Sequence, residues 1–571
     1  MEGAGDSPRV PRFDSKDAAQ HWVRAVQRSV PMWPLLTTWQ DVCDHLLPAI
    51  RLLGPVQTRQ VVAPGPSEMP AGPMEPIPAP LTADVYAHTA TNPDAGLNTI
   101  RYLFFHTRCG VWVSVRKGRV ALFVPFANRG YRNTFGAQVQ LTDRALTVEE
   151  YSAFKARATR QAPERVLADV RHWWLNGGIV CNVVPEGVWG PEYLASIRDM
   201  LDETCVRHGV PDCDFVVNKR DFPQLRSGVG LDAYAPFTGV DALARERYSA
   251  YVPVFSFYTG SAMADVPMPT CDDWATATGK WLPWVSASPY MRRREGPLAP
   301  VPTRRTQVAV FRGAATGSGV TSATNARLRL AEFAMTSPDR HLVDVRLTGF
   351  NLRDRVVAVS EPCPEAPPRV TVDFFRDFHK FSAVRGPFQS LHDQEAAFEY
   401  VLYVDGHCAA SRFGTLLATS MVVLRVASDH PDTCGHLWLF DTTAPLKVQD
   451  GDDADDADPS TESRFHLSGT PPEAADHCLI SSDLSNLGAT VRYLRSHEAV
   501  ARGVVARANA RAPTIEAITT HWHAMLLGVH ALETGGSAAA AAASAATRTP
   551  QAGSEWFSPY DPKYACVEMD T

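Results

Sequence analysis

Nowhere in the 571-residue chain do eighteen or more apolar residues run together, so no stretch is long enough to cross a bilayer as a helix. The opening MEGAGDSPRVPRFDSKD has no apolar core after a basic start, which argues against a cleaved secretory leader. The eleven cysteines are an odd number and include no C-x-x-C pair, so neither a disulfide framework nor a structural zinc site is expected and reduced thiols are the default. A net charge of -7 supplies no global basic field, which removes nucleic acid as a main partner while leaving local arginines free to hold small anions.

What is present suits a large folded chain: 45% hydrophobic and 20% charged residues can fill the cores of two or three domains. Residues 1–53 read as an N-terminal extension, in part disordered, with helical patterning from Ser15 through Val26 and again over Trp39 to Leu53, where Pro48 marks a kink. Residues 54–95 form a linker; eight prolines between Gly54 and Pro80 leave no periodic hydrophobicity from which to build a core. Residues 96–300 make a mixed α/β domain. It opens with a hairpin or meander, GVWVSV and VALFVPF about a turn at Lys117 and Gly118, continues through a strand in WWLNGGIVCNVV and a helix from Pro191 to Arg207, and reaches the strand CDFVVN. Residues 301–534 make a second α/β domain, and residues 535–571 an alanine-rich linker and tail.

The most informative stretch is Phe398 to Val426, FEYVLYVDGHCAASRFGTLLATSMVVLRV. Two apolar runs flank a segment with helical spacing, a strand-helix-strand unit that buries its strands in a parallel sheet. With a helix over Ala409 to Ser420, Arg412 lies in the first turn, where unpaired N–H groups and the helix dipole favour a phosphate. The stretch alone fits a diphosphate clamp and an ordinary buried unit with a solvated arginine about equally. Upstream, TQVAVFRGAATGSG delivers Arg312 to a Gly-rich turn, and a helix begins near Thr324, bringing Arg327 within reach of the same anion. The turn lacks the Gly-Lys-Ser/Thr ending of a P-loop and the glycine spacing of a dinucleotide site.

Pro223 ends the strand before NKRDFPQL and leaves Arg220 and Asp221 at its carboxyl edge, where open α/β sheets place catalytic groups. Asp221 then reads either as a general base or as the ion-pair partner of Arg220 or Lys219. Asp273 and Trp274, in CDDWATATGKW, offer an acid beside an aromatic wall, which suits a sugar ring and equally an interdomain hinge. The acidic run from Asp450 to Ser463 reads as a solvated loop, and the histidines of HWHAMLLGVHAL as a partly exposed helix face rather than metal ligands.

The ordered set NKRDFPQL, YVPVFSFY, FRGAATGSG with NARLRL, HLVDV, LHDQEAAFEYVLYVDGHCAASRFGTLLATSMVVL and DLSNL resembles the protein O-glucosyltransferase family, which includes Rumi-like, KDEL-motif and capsule-associated members. The likeness spans about Ile100 to Leu527 and is nearest to members from large cytoplasmic DNA viruses, through CGVWVSV, VPFANRGYRN and WWLNGG. It implies a GT-B fold, two Rossmann-like domains facing a cleft, with 96–300 on the acceptor side and 301–534 binding the donor. It further implies inverting, metal-independent transfer of glucose or xylose from UDP-glucose or UDP-xylose to a hydroxyl of a protein Ser/Thr or a glycan, without a cofactor. By the same resemblance Asp221 is the base, and Arg312, Gly313, Thr316, Arg327 and the run His407, Cys408, Ala409, Ala410, Ser411 and Arg412 hold the UDP-sugar. Arg220, Asp273 and Trp274 line the acceptor and sugar cleft. Ala315 stands where secretory members carry an arginine, which implies redistributed diphosphate contacts. The expected setting is cytoplasmic, the host cytoplasm or the virion for a viral chain. The rival reading is a noncatalytic carbohydrate-binding or virion structural protein that retains the fold.

Overall fold

The structure is a computed structural model, and it describes residues 36–56, 79–107, 109–128, 191–218, 222–225, 227, 250–279, 305–319, 321–353, 357–358, 370–371, 378–451 and 465–535. Lys117 and Gly118 both take positive φ, 53° and 71°, the turn geometry whose twist matches that of the strands it joins. It folds β1 (Cys109–Arg116) back on β2 (Arg119–Ala127) as the sequence predicts. β3 (Cys213–Asn218) pairs antiparallel with the other edge of β1. β4 (Val254–Ser256) and β5 (Val266–Pro267) then add in parallel, for the order β2-β1-β3-β4-β5. The expected strand at WWLNGGIVCNVV lies outside the described residues, whereas the expected helix is present as Pro191–His208.

The second sheet contains β6 (Thr306–Ser318), β7 (Val343–Arg353), β10 (Phe398–Tyr403), β11 (Val422–Val426), β12 (Pro445–Asp450), β13 (Phe465–Gly469) and β14 (His477–Ile480), in the order β13-β12-β14-β11-β10-β6-β7. All neighbours are parallel except β12 and β13 at one edge. The short strands β8 (Val357–Ala358) and β9 (Val370–Thr371) pair with each other, and among the described residues with no other strand. From β6 the chain moves outward to β7 and then returns to the other side of β6 to form β10. The strand order therefore reverses between β6 and β10, and the crevice outside the carboxyl ends of those two strands is where such sheets take ligands.

Two local expectations are corrected. The Gly-rich stretch after Arg312 is not a turn: β6 continues through GAATGS, because β7 also runs on and pairs with it from Ala315↔Phe350 to Ser318↔Arg353 beyond a bulge. The helix after Asn325 begins at Ala326. The helix expected over Ala409 to Ser420 is confined to Phe413–Leu417, with Arg412 as its N-cap at φ −76°, ψ 3°. The preceding backbone is engaged elsewhere, Gly406 N–H with the Cys408 carbonyl at 2.9 Å and Ala409 N–H with the Cys434 carbonyl at 2.9 Å, and so cannot present a helical first turn. The helix-dipole argument for Arg412 therefore falls.

One apolar core joins the sheets, from Val113, Phe215 and Phe255 through Trp522 to Phe413, Leu416 and Trp438. Trp522 belongs to the last helix, Ile515–Thr534, which follows the second sheet in the chain yet lies against the first, with its ring 5.0 Å from that of Phe255. Of the histidines of this helix, His521 and His523 are partly exposed, in line with the expected face, while His530 is buried. His521 Nε2 meets the Pro267 carbonyl at 2.9 Å, and His530 Nδ1 meets the Asp212 carbonyl at 2.7 Å. Near the N-terminus, the helix from Trp39 is interrupted by a π turn at Val42–Leu46 just before Pro48, which has no N–H to continue the ladder. Among the described residues, no helix is long and apolar enough to cross a membrane.

Candidate functional site

The floor of the β6/β10 crevice is built by Arg327. Asn325 caps its helix, accepting from the Arg327 and Leu328 N–H groups at 3.0 and 3.1 Å, and its amide Nδ2 reaches back to the Gly319 carbonyl at 3.0 Å. The Arg327 guanidinium then donates through Nη1 to the Ala314 carbonyl at 2.8 Å and to Thr316 Oγ1 at 2.6 Å. Nε reaches the Asp405 carbonyl at 2.9 Å and Nη2 the Val404 carbonyl at 3.1 Å. Burial, with Arg412 as a second like charge, lowers its pKa to about 9. Arg327 thus braces the two strand ends and spends most of its donors on the fold. Gly406 packs against this brace: a Cβ there would stand 2.8 Å from Thr316 Oγ1 and 3.1 Å from Arg327 Nη2. Gly313 lies beside the Phe311 ring in the same wall.

The loop from Asp405 to Arg412 forms the rim. His407 Nδ1 accepts from the Gly317 N–H at 3.1 Å, which joins the β10 end to the β6 end and fixes the ring tautomer with the proton on Nε2. Cys408 and Ala409 are buried, while Ala410, Ser411 and Arg412 are partly exposed at the loop's far end. Arg412 lies over the Phe311 ring, 5.6 Å from its centroid, as Arg327 also does, and its Nη1 touches the Arg312 carbonyl at 3.3 Å. Its Nε has no hydrogen-bond partner among the described residues, and burial lowers its pKa. A desolvated guanidinium with spare donors is a strong anion ligand. Asp405, pushed up to about 6 by burial, lies between Arg327 and Arg425, both of which favour its charged form. The Arg312 side chain is placed differently from the other two arginines. It donates to Asp344 Oδ2 at 2.7 Å and to the Asp344 carbonyl at 2.7 Å, so it is committed to an ion pair with β7.

The first unit faces this rim. β3 and β4 run parallel with Asn218 opposite Ser256, and shortly beyond Ser256 the chain bridges to the second unit through Thr259 and His436, with N–H to carbonyl distances of 3.1 and 3.0 Å. The carboxyl edge of the first sheet is therefore turned toward the crevice. Asn218 Nδ2 donates to the Phe222 carbonyl at 2.7 Å. Arg220 and Asp221 lie outside the described residues.

Asp273 is in place at the junction. Its Oδ2 accepts from Thr270 N–H at 2.9 Å, Thr270 Oγ1 at 2.8 Å and Trp438 Nε1 at 2.8 Å, while burial pushes its pKa up to about 7. Trp274 is buried in the joint core. It is the neighbouring Asp272, which sequence reasoning passed over, that reaches the rim: its Oδ2 accepts from the Ser411 hydroxyl and its carboxylate lies near Arg412. A signal was there to be read. Thr270-x-x-Asp273 is a capping-box spacing and the box is formed, which commits Asp273 to the helix end and leaves Asp272 free for other work.

The family model described as Glycosyl transferase family 90 matches residues 194–436. Those residues carry Asp221, Asp272, Arg327 and the whole 405–412 loop, and the match supports a glycosyltransferase function. The chain is also similar to three viral proteins. It is 27% identical over 364 residues to uncharacterized protein 035R of Invertebrate iridescent virus 3, covering 61% of this chain and 30% of that one. It is 30% identical over 342 residues to uncharacterized protein 027R of Frog virus 3, covering 57% and 33%. With uncharacterized protein 179R of Invertebrate iridescent virus 6 it shares 25% identity over 396 residues, covering 62% and 32%. The chain thus spans about a third of the length of the curated relatives it matches.

Proposed function

We propose that the protein is an inverting glycosyltransferase of GT-B arrangement that moves glucose or xylose from a UDP-sugar to a hydroxyl acceptor, a protein Ser/Thr or a glycan, in the host cytoplasm or virion. The observation that carries this reading is the convergence on one crevice. The rim loop with Arg412 closes the switch point of the parallel sheet, and the carboxyl edge of the first sheet, at the end of β3 with Asn218, is turned toward it. The diphosphate lies against Arg412 and the Ala410 to Ser411 backbone, with the Arg327 brace holding Thr316, Gly406 and His407 in place beneath it.

Inversion requires a base on one face of the sugar and stabilisation of the departing UDP on the other. Asp221 takes the acceptor proton as the hydroxyl oxygen attacks the anomeric carbon and the bond to the β-phosphate oxygen breaks. Arg412 meets the charge that develops on that oxygen, a contact whose removal costs about 3 kcal/mol in the barrier. The catalytic groups are all side chains of this chain, and no metal or cofactor enters the proposal.

The test is UDP release by purified protein supplied with a panel of UDP-sugars in the presence of chelator. Release above the heat-treated control, fastest with UDP-glucose or UDP-xylose, is the expected result. Binding of sugars with no release from any donor would favour a noncatalytic protein that retains the fold.

A further inference from the structure

Asp273 is closed to a ligand by burial: Oδ2 takes three donors, and Oδ1, which accepts no hydrogen bond among the described residues, is packed where a Cβ at Gly414 would strike it. Asp272, one residue earlier in the helix Cys271–Thr278, is placed in the opposite way. Only Oδ2 is engaged, by the Ser411 hydroxyl; Oδ1 accepts no hydrogen bond among the described residues, and the side chain is partly exposed. The helix that carries it is tied to the second unit on both sides of Asp272. Thr276 Oγ1 donates to the Asp272 carbonyl at 2.8 Å and meets Thr415 Oγ1 at 2.8 Å, and Thr270 Oγ1 reaches the Ser411 carbonyl at 3.4 Å. An acid of the first unit is thereby fixed beside Arg412 of the second.

A carboxylate cannot line a diphosphate subsite, since like charges repel, and it has no apolar surface for a base. What it accepts well is hydroxyl, because an O–H to carboxylate bond is shorter and about twice as strong as a neutral one. A UDP-sugar carries two neutral rings with O–H donors beside the diphosphate, the ribose and the glycosyl ring, and the glycosyl ring is the one that faces the acceptor, on the side of the unit that carries Asp272. We propose that Asp272 binds hydroxyls of the donor's sugar through its open oxygen, with Ser411 orienting it, so that sugar recognition is supplied by the first unit while the nucleotide is held by the second. This rests on the glycosyltransferase reading above.

Calorimetry with UDP, UDP-glucose and UDP-xylose on the full chain tests both together. The wild-type protein should bind one of the two UDP-sugars more tightly than UDP. Asp272→Asn should lose about tenfold in that UDP-sugar's affinity while UDP binds as well as before or better, since a nearby negative charge is gone. Ser411→Ala, which keeps the carboxylate but frees its oxygen, should lose part of the same increment and carries the test alone if Asp272→Asn does not fold. Equal losses for UDP and UDP-sugar would make Asp272 a ribose contact or a brace for Arg412 and overturn the proposal, as would an unchanged ratio in both variants. A wild-type protein that binds neither UDP nor a UDP-sugar would instead sink the glycosyltransferase reading.

Discussion

The Trp438 indole Nε1 donates to Asp273 Oδ2 at 2.8 Å, and that bond ties the segment after β11 to the first turn of a helix in the other unit. Burial pushes the Asp273 carboxyl from its ordinary 3.8 up to about 7. Between those values the folded protein keeps a proton that the unfolded chain has lost, so this group's contribution to stability falls as pH rises from about 4 to about 7. Asp265, pushed up to about 7 by burial as well, behaves alike and must be subtracted. The difference in Tm between wild type and Asp273→Asn should therefore shift in the variant's favour between about pH 5 and pH 7.5. A difference independent of pH would contradict the assignment.

Gly414 is the partner surface of the same carboxylate. A Cβ there would collide with Asp273 Oδ1 and approach Leu439 Cδ1 to 3.0 Å. Overpacking of a rigid junction costs about 1 to 3 kcal/mol and more where backbone must move. Gly414→Ala should lower the chemical denaturation midpoint accordingly, and restoring space with Asp273→Ala in the same chain should recover part of the loss.

Arg327 makes a different prediction from Arg412, although both guanidiniums lie on Phe311. Arg327→Lys leaves one ammonium to replace four bonds to strand ends, and each orphaned buried carbonyl costs about 1 to 3 kcal/mol. Its first effect should be a large loss of stability, read by denaturant titration, with donor binding weakened as the rim loosens. Arg412→Ala should leave the midpoint close to wild type.

Local patterning made much of the fold legible. The hairpin at Lys117 and Gly118, the helix from Pro191 and the strands at Thr306, Val343, Phe398 and Val422 follow from alternation, turn residues and apolar runs. The rim loop was not, because it is held by the Gly317 N–H on the His407 ring, by the Cys434 carbonyl and by its own backbone rather than by a helix, and Gly317 and Cys434 are distant in sequence. Arg312 shows the same limit: a strand arginine reads as an anion ligand until Asp344 on the adjacent strand is seen to hold it. For Asp272 and Asp273 the cue was local, a capping box, and it distinguishes the spent acid from the open one.

The central claim is that Asp221 is the base. Asp221→Asn preserves the side-chain shape but removes the proton-accepting charge, so glycosyl transfer should fall by about 100-fold or more. Arg412→Ala, in contrast, should weaken UDP binding as well as turnover, since the proposal has it contact the nucleotide in both ground and transition states. Turnover, UDP affinity and Tm measured on one preparation of Asp221→Asn decide the matter. The account predicts lost turnover with UDP affinity and Tm retained; a variant with lowered Tm whose folded molecules still transfer sugar would contradict it and return Asp221 to an ion pair with Arg220 or Lys219.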